Sequence, residues 1–496
     1  MNKHIYSLFL FLVCILPPAA GEETQKTAGC FQQICEEVAE DPVFRESLIS
    51  ICVRNGKGET LADVNAERMM VPASNVKLIS TGAALHYLGP DFRFKTALCH
   101  DGNIVDGVLK GNLYIKGGAD PTLGSKDSIA TPIETVFRQW EELIRRAGIK
   151  KIEGNVIGDG RWAEGMAEEP TWLWNDIGTY YGTGVTGLMF YENMQSFLVT
   201  PGAQTGADIN IRPYYPDCPW MEFRYACSTG INGSGDRLYM YTSDLAPIAE
   251  IRGTFAIDRG KKRVDCSNKF PEYTCAYYFY KYLKSKGIQC TGEAADSRFR
   301  PCVLSPETGL AEIGATWSPT LDRIVYQTNH ASNNLYAETL LRTLGKQMRN
   351  SSCYDSSRVA LLDILKSLNI KTSSGLKIQD GSGLSRQNYV SADFFCRFLD
   401  AMMASGSFEA YAESLPSPGF EGSLQYNMKS YPASLRERIK VKSGSMNGVR
   451  CYSGYIIPED GARDEVIIFS ILTGNCTSEN WKVRPLLDKL MATLAR

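Results

Sequence analysis

Three short stretches of the 496-residue chain carry residue types suited to nucleophilic catalysis. In Ser74-Asn75-Val76-Lys77 a hydroxyl and an amine stand three positions apart. On a helix that spacing stacks them on one face, with Cβ atoms about 5–6 Å apart. A serine hydroxyl is a poor nucleophile until a neighbouring base takes its proton. A lysine does so when burial or a second cation keeps it neutral. A helix N-terminus would also offer backbone N–H groups to a developing oxyanion. The same Ser74 would serve equally as a plain N-cap. The Ser-x-x-Lys spacing recurs at Ser374-Gly375-Leu376-Lys377, where the glycine argues against a helix.

Ser332-Asn333-Asn334 supplies a hydroxyl that could relay a proton and an amide that could hold a substrate amide. It could as simply cap the helix that follows. Lys442-Ser443-Gly444, continued by Ser445, sits on an expected strand after the alternation Ile439, Val441. There a cation and a hydroxyl would face a carboxylate, and Gly444 would let a ligand or another backbone come close. A solvated lysine on an edge strand is the ordinary alternative. Two ammonium groups brought together favour a neutral lysine, so Lys442 is expected to help keep Lys77 unprotonated.

The elements that must position these groups are legible in outline. Leu48–Val53 and Thr60–Val64 read as a hairpin around Asn55-Gly56-Lys57-Gly58. A helix is expected from Ser74 to Leu88, stopped by Gly89-Pro90. Further helices are expected over Asn334–Leu344 (ending at Gly345), Ser357–Leu368 and Ala392–Ala404. Three consecutive strands follow near Ile439–Lys442, Gly448–Ile457 and Glu465–Leu472. An amphipathic helix over Trp481–Leu494 is expected to pack on the sheet. Between the first and second motifs the texture turns Gly-, Tyr- and Pro-rich, with short strand-like runs. The pattern is an α/β (α+β) layer domain in two pieces, 22–96 and 309–496, around an inserted region 97–308 of mixed α/β and β-rich character.

Composition excludes several function classes. With 44% hydrophobic and 22% charged residues the chain is globular. A formal net charge of −2 offers no basic excess for nucleic acid. His4, His86, His100 and His330 include no i, i+4 pair, and no Cys-x-x-Cys occurs, so no metal site and no cofactor are expected. Residues 1–21 read as an export signal: Lys3 and His4, then apolar Ile5–Leu16, then Pro17-Pro18-Ala19-Ala20-Gly21. The apolar run is shorter than the ~20 residues of a membrane-spanning helix. No transmembrane span is expected in the mature chain, which should be periplasmic or otherwise extracytoplasmic. The 14 cysteines beyond Cys14 fit either disulfides or buried thiols, with no pairing implied.

The order of the motifs is that of penicillin-recognising serine enzymes: Ser-x-x-Lys opening a helix, Ser-x-Asn before a helix, Lys-Ser-Gly on a strand. Over nearly all of its mature length the chain resembles the bacterial D-alanyl-D-alanine carboxypeptidase/endopeptidase family, the class C low-molecular-mass penicillin-binding proteins. Ser332-Asn333-Asn334-Leu335-Tyr336-Ala337-Glu338 is similar to the family's Ser-Asp-Asn-Leu-x-Ala-Glu. Asp380-Gly381-Ser382-Gly383-Leu384-Ser385-Arg386 matches another signature, and Gly118-Ala119-Asp120-Pro121-Thr122-Leu123 resembles Gly-Asp-Pro-Thr-Leu. Asn333 stands where Asp is usual, and Lys442-Ser443-Gly444-Ser445 where Lys-Thr-Gly-Thr is usual.

The resemblance implies a β-lactamase/transpeptidase-like domain acting on D-Ala-D-Ala ends, and on cross-links, of peptidoglycan stem peptides. It implies Ser74 as nucleophile, Lys77 as proton acceptor, Ser332 with Lys442 as relay to the leaving amine, and Asn334 as holder of the substrate amide. Ser443, Gly444 and Ser445 would line the carboxylate site, with the backbone N–H groups of Ser74 and Ser445 as oxyanion hole. β-Lactams would acylate Ser74. Asp380 and Arg386 are expected to form a structural turn behind the site, and Met446 to face the substrate or pack inward. Oligomeric state is open. A β-lactamase, for which about 250–350 residues in one domain suffice, and a non-catalytic peptidoglycan-binding protein, which would tolerate loss of Ser74 or Lys77, are the competing readings.

Overall fold

A computed structural model describes residues 20–477 and 480–496. Residues 1–19, most of the expected export signal, lie outside it. Five antiparallel strands form the sheet of the split domain: β1 (Leu48–Asn55), β2 (Thr60–Val64), β3 (Ile439–Met446), β4 (Val449–Ile456) and β5 (Ile467–Gly474). Their order is β3-β4-β5-β1-β2, so the two ends of the chain lie side by side, joined at β5–β1, and β3 is an edge. The β1–β2 turn is set by Asn55, whose Oδ1 accepts from the N–H groups of Lys57 and Glu59 at 3.1 and 2.9 Å. Such a side-chain-to-backbone bond is why Asn nucleates turns.

Both faces of the sheet are covered, which is why β1, β4 and β5 read as nearly continuous apolar runs. On one face lie α1 (Ala20–Ala39) and the C-terminal helix Asn480–Leu494. There Val483, Leu487, Leu490 and Leu494 close over Ile49, Ile51, Phe469 and Ile471. Each such side chain contributes about 1.5–3 kcal/mol when fully buried.

The other face packs on α2 (Val76–Leu88), which is buried from Val76 to Leu85. It ends at Gly89, whose φ of 80° and N–H bond to Leu85 O make the expected stop. Around it lie α3 (Leu321–His330), α4 (Asn334–Arg349), α5 (Tyr354–Ser367) and α6 (Ala392–Met403). Helix α4 does not end at Gly345 as expected. It runs on to Arg349, and Asn350 takes the left-handed cap with φ of 52°. Gly345 is instead a contact point: a Cβ there would sit 2.4 Å from Ser357 Oγ and 2.7 Å from Ser351 O.

The insert hangs on a two-strand neck. Lys95–His100, which straddles the expected boundary at 96/97, pairs antiparallel with Ala311–Trp317. These strands belong to a five-stranded sheet completed by Leu113–Lys116, Val156–Asp159 and Ala294–Asp296, packed against helix Ile133–Arg146. Further out, two three-stranded sheets enclose Phe197, Val199, Met240, Ile251 and Phe255. All 14 cysteines among the described residues are free thiols. Among the described residues no helix is long and apolar enough to cross a membrane.

Candidate active site

The three motifs meet where the N-terminus of α2 abuts edge strand β3 and the start of α4. Ser74 does not begin the α-helix. It lies in a single 3-10 turn, Ala73–Asn75, that leads into α2. No side-chain cap bond forms there, so the N-cap alternative for Ser74 falls away. Ala73 holds a φ of +47°, a costly conformation for a residue with a Cβ. The turn is fixed from three sides. A Cβ at Gly444 would stand 2.6 Å from Pro72 O, and one at Gly383 would stand 1.9 Å from Ala73 O. Both positions admit only glycine at this separation. From within the turn, Asn75 Nδ2 donates to Ser453 Oγ of β4 at 2.7 Å, and Ser453 is bonded in turn to Ser470.

Lys77, the second residue of α2, is fully buried. Its Nζ lies 3.0 Å from Ser74 Oγ, 2.7 Å from Asn334 Oδ1 and 2.7 Å from the carbonyl oxygen of Ser382. Burial lowers its pKa to about 7, opposed by the charges of Glu338 and Asp380. The geometry suits the neutral amine. The two 2.7 Å acceptors take both of its N–H groups, and its lone pair is left towards the Ser74 hydroxyl.

Lys442, also fully buried, donates to Ser332 Oγ at 2.9 Å and to its neighbour's carbonyl, Ser443 O, at 2.8 Å. No hydrogen bond among the described residues joins it to Ser74. Burial first, and then the charge of Lys77, push Lys442 well below the usual lysine value. The repulsion of two ammonium groups is mutual, so the pair together favours one neutral lysine, while burial lowers both. Ser332 has a φ of +56°, a second strained residue at the site.

Asn334 bridges the site, taking the Lys77 bond on Oδ1 and donating from Nδ2 to Tyr181 O at 2.9 Å. Asn333 is the cap of α4, as the ordinary reading has it, with Oδ1 accepting from Tyr336 N at 3.1 Å. Its Nδ2 also donates to Glu192 Oε2 at 2.8 Å. Ser443 is half-buried and Ser445 exposed along β3, while Met446 packs against the helical core. Asp380 is a buried hub behind the site. It accepts from Gly383 N, Ser385 N, Asn388 Nδ2 and Trp172 Nε1 at 2.6–2.9 Å. Arg386 lies at the surface and reaches Asn447 O.

Several supporting residues escape sequence reasoning. Glu338 accepts from Gly381 N and Ser382 N at 3.0 and 2.7 Å, and so holds the Ser382 carbonyl on Lys77. Burial and the charge of Asp380 push its pKa up to about 8. Its place at the end of the Ser332–Glu338 run, four residues after Asn334 on α4, was the available signal. Tyr181 and Glu192 come from the insert, and no spacing links them to the motifs.

The chain matches the model of the D-Ala-D-Ala carboxypeptidase 3 (S13) family over residues 31–494. It is 25% identical over 473 residues to a D-alanyl-D-alanine carboxypeptidase of Actinomadura sp. (strain R39), covering 90% of this chain and 81% of the relative. It is 22% identical over 431 residues to D-alanyl-D-alanine carboxypeptidase DacB of Haemophilus influenzae, covering 83% and 82%. The crystal structure of penicillin binding protein 4 (dacB) from Haemophilus influenzae superposes with a TM-score of 0.77 at 20% identity. That match covers 92% of this chain and 98% of the other and shows the shared fold, insert included. The β-lactamase and non-catalytic readings are not favoured by these matches. From the match along nearly its whole length, the chain belongs to the D-Ala-D-Ala carboxypeptidase 3 (S13) family of serine peptidases.

Proposed function

We propose that the protein is an exported DD-peptidase that cleaves the D-Ala-D-Ala ends, and cross-linking D-Ala peptide bonds, of peptidoglycan stem peptides through an acyl-enzyme on Ser74. The observation that carries this reading is the 3.0 Å approach of a buried Lys77, its pKa lowered to about 7, to the Ser74 hydroxyl. Neutral Lys77 takes the Ser74 proton as Oγ attacks the carbonyl of the penultimate D-Ala. The oxyanion forms against the backbone N–H groups of Ser74 and Ser445, of the kind whose single loss costs about 10²–10³ in rate.

Ser332, held by Lys442, passes a proton to the departing amine. Asn334 holds the substrate amide, and Ser443 and Gly444 line the pocket for the terminal carboxylate. Because β3 is a sheet edge, an extended substrate can pair along it beyond Val441, whose N–H is already bonded to Pro416 O. Water then releases the acyl group. A β-lactam enters the same path and leaves Ser74 stably acylated. A related structure, that of the Haemophilus influenzae protein, is described as complexed with a β-lactam.

The test is to incubate the purified protein with a fluorescent penicillin and with a defined stem pentapeptide. Stable labelling that is lost in Ser74→Ala, together with D-Ala release, supports the reading. Rapid penicillin turnover, or no labelling, overturns it.

A further inference from the structure

At the neck of the insert lies a cavity of about 350 Å³ that takes no part in the chemistry described above. This is at the small end of the roughly 300–1,000 Å³ range of ligand pockets. Helix Ile133–Arg146 forms one wall, with Gln139, Glu142 and Arg146 on a single face. The neck strand supplies Trp317, and the loop after Gly118 supplies Asp120 and Thr122.

Three features ask for a particular kind of ligand. Trp317 is 55% exposed although it sits on a paired strand, and its ring lines the opening. Lys95 Nζ stands over one face of the ring at 5.8 Å, and the indole that remains exposed is a stacking surface. Asp120 is 7% exposed, yet its only protein hydrogen bonds, from Thr122 N and Thr122 Oγ1, both go to Oδ1. No donor among the described residues reaches Oδ2, so this oxygen of a cavity-lining carboxyl is open to a ligand donor. Finally, Gln139, Glu142 and Arg146 offer donors and acceptors around the rim, with Glu142 and Arg146 joined only by a loose 3.7 Å ion pair. An aromatic plate beside planar polar side chains, with no large excess of either charge, fits a neutral ring bearing several hydroxyl and amide groups.

We propose that this cavity binds a saccharide unit of the glycan strand to which the stem peptides are attached. The proposal rests on the peptidoglycan reading above. The two sites share a structural link, since the loop that carries Asp120 also carries Ser125. Ser125 Oγ donates to Glu192 Oε1 at 2.7 Å, and Glu192 receives Asn333 of the catalytic motif. A strand held at the neck would present its peptides to the cleft while the glycan stays outside it.

The probe is a soluble β-1,4-linked N-acetylglucosamine tetramer, titrated calorimetrically into protein whose Ser74 has been acylated with penicillin. Saturable binding to the acylated protein is expected, weakened at least tenfold in Trp317→Ala and in Asp120→Asn. Active-site content, counted by penicillin titration, sets the concentration of each variant and shows that it is folded. Absence of saturable binding, binding that survives both substitutions, or binding seen only before acylation overturns the proposal. Failure of penicillin to label the protein strikes the peptidase reading instead and leaves the titration, run on unlabelled protein, to speak for the cavity.

Discussion

The proposed chemistry turns on two lysines deprived of water. A group whose pKa falls to about 7 is half neutral near pH 7. Acylation that needs neutral Lys77 should therefore rise about tenfold per unit below pH 7 and level off above it. Stopped-flow acylation with a fluorescent penicillin between pH 5 and 9 measures this, and Lys77→Ala should cost about 10²–10⁴-fold. A profile flat from pH 5 to 9 would show that another group takes the proton.

Asn333 makes a second prediction at this scale. Its amide meets the carboxylate of Glu192, which is held in place by Ser125 and Asn333. N333D keeps the cap on α4 but sets two carboxylates face to face. Activity in the variant should fall as pH rises, where the wild type gains. Adding E192Q should restore it, because the new amide donates to the new carboxylate. Loss of activity in N333D that E192Q leaves uncorrected would mean the contact does not position Ser332 and Asn334.

At the scale of elements, Ser74, the proposed nucleophile, is placed by backbone contact more than by helix geometry. Turn Ala73–Asn75 is clamped between β3 and the 380–386 loop, with Gly444 and Gly383 pressed on its carbonyls. A methyl at Gly444 must move Pro72 or the strand. Gly444→Ala should reduce acylation by at least 100-fold while lowering thermal stability by only a few degrees, as rate measurements and calorimetry would show. A variant that acylates normally would remove this clamp from the account. The helix and strand placements near the motifs were readable because α2 has a long apolar run with a Gly-Pro stop and β3 alternates. The extension of α4 past Gly345 was not, because a glycine chosen for helix–helix contact looks the same in a sequence as one chosen for a cap.

For the whole molecule, buried ionisable groups set the response to pH. Glu272, fully buried in the insert, has its pKa raised to about 8 by burial and the charge of Asp296. The folded state therefore binds the proton more tightly. This contribution to stability is complete below about pH 4.5 and is lost as pH rises through about 8. Lys77 acts in the opposite sense and in a higher window, binding fewer protons when folded between about pH 7 and 10.5, so stability gains there. From pH 5 to 8 the melting temperature of Glu272→Gln should fall less, or rise more, than that of the wild type. A slope unchanged in that variant would assign the effect elsewhere. The free thiols give a further check: denatured mature protein, alkylated without reductant, should take up 14 labels. Fewer labels would reveal disulfides.

The sequence by itself determined which hydroxyl, amine and amide groups stand at which spacing, their order, and the main helices and strands around them, because these rest on local spacing and periodicity that neighbouring residues record. The resemblance also marked Asp380 as part of a structural turn behind the site. Only the tertiary structure decided what surrounds each group. Asn334 and Ser382 take up the Lys77 amine, Lys442 turns to Ser332, and the insert returns Tyr181 and Glu192 to the motifs. Those partners lie up to some 300 residues apart, and water exclusion, which lowers the lysines, is a property of the closed assembly that no single stretch of chain contains.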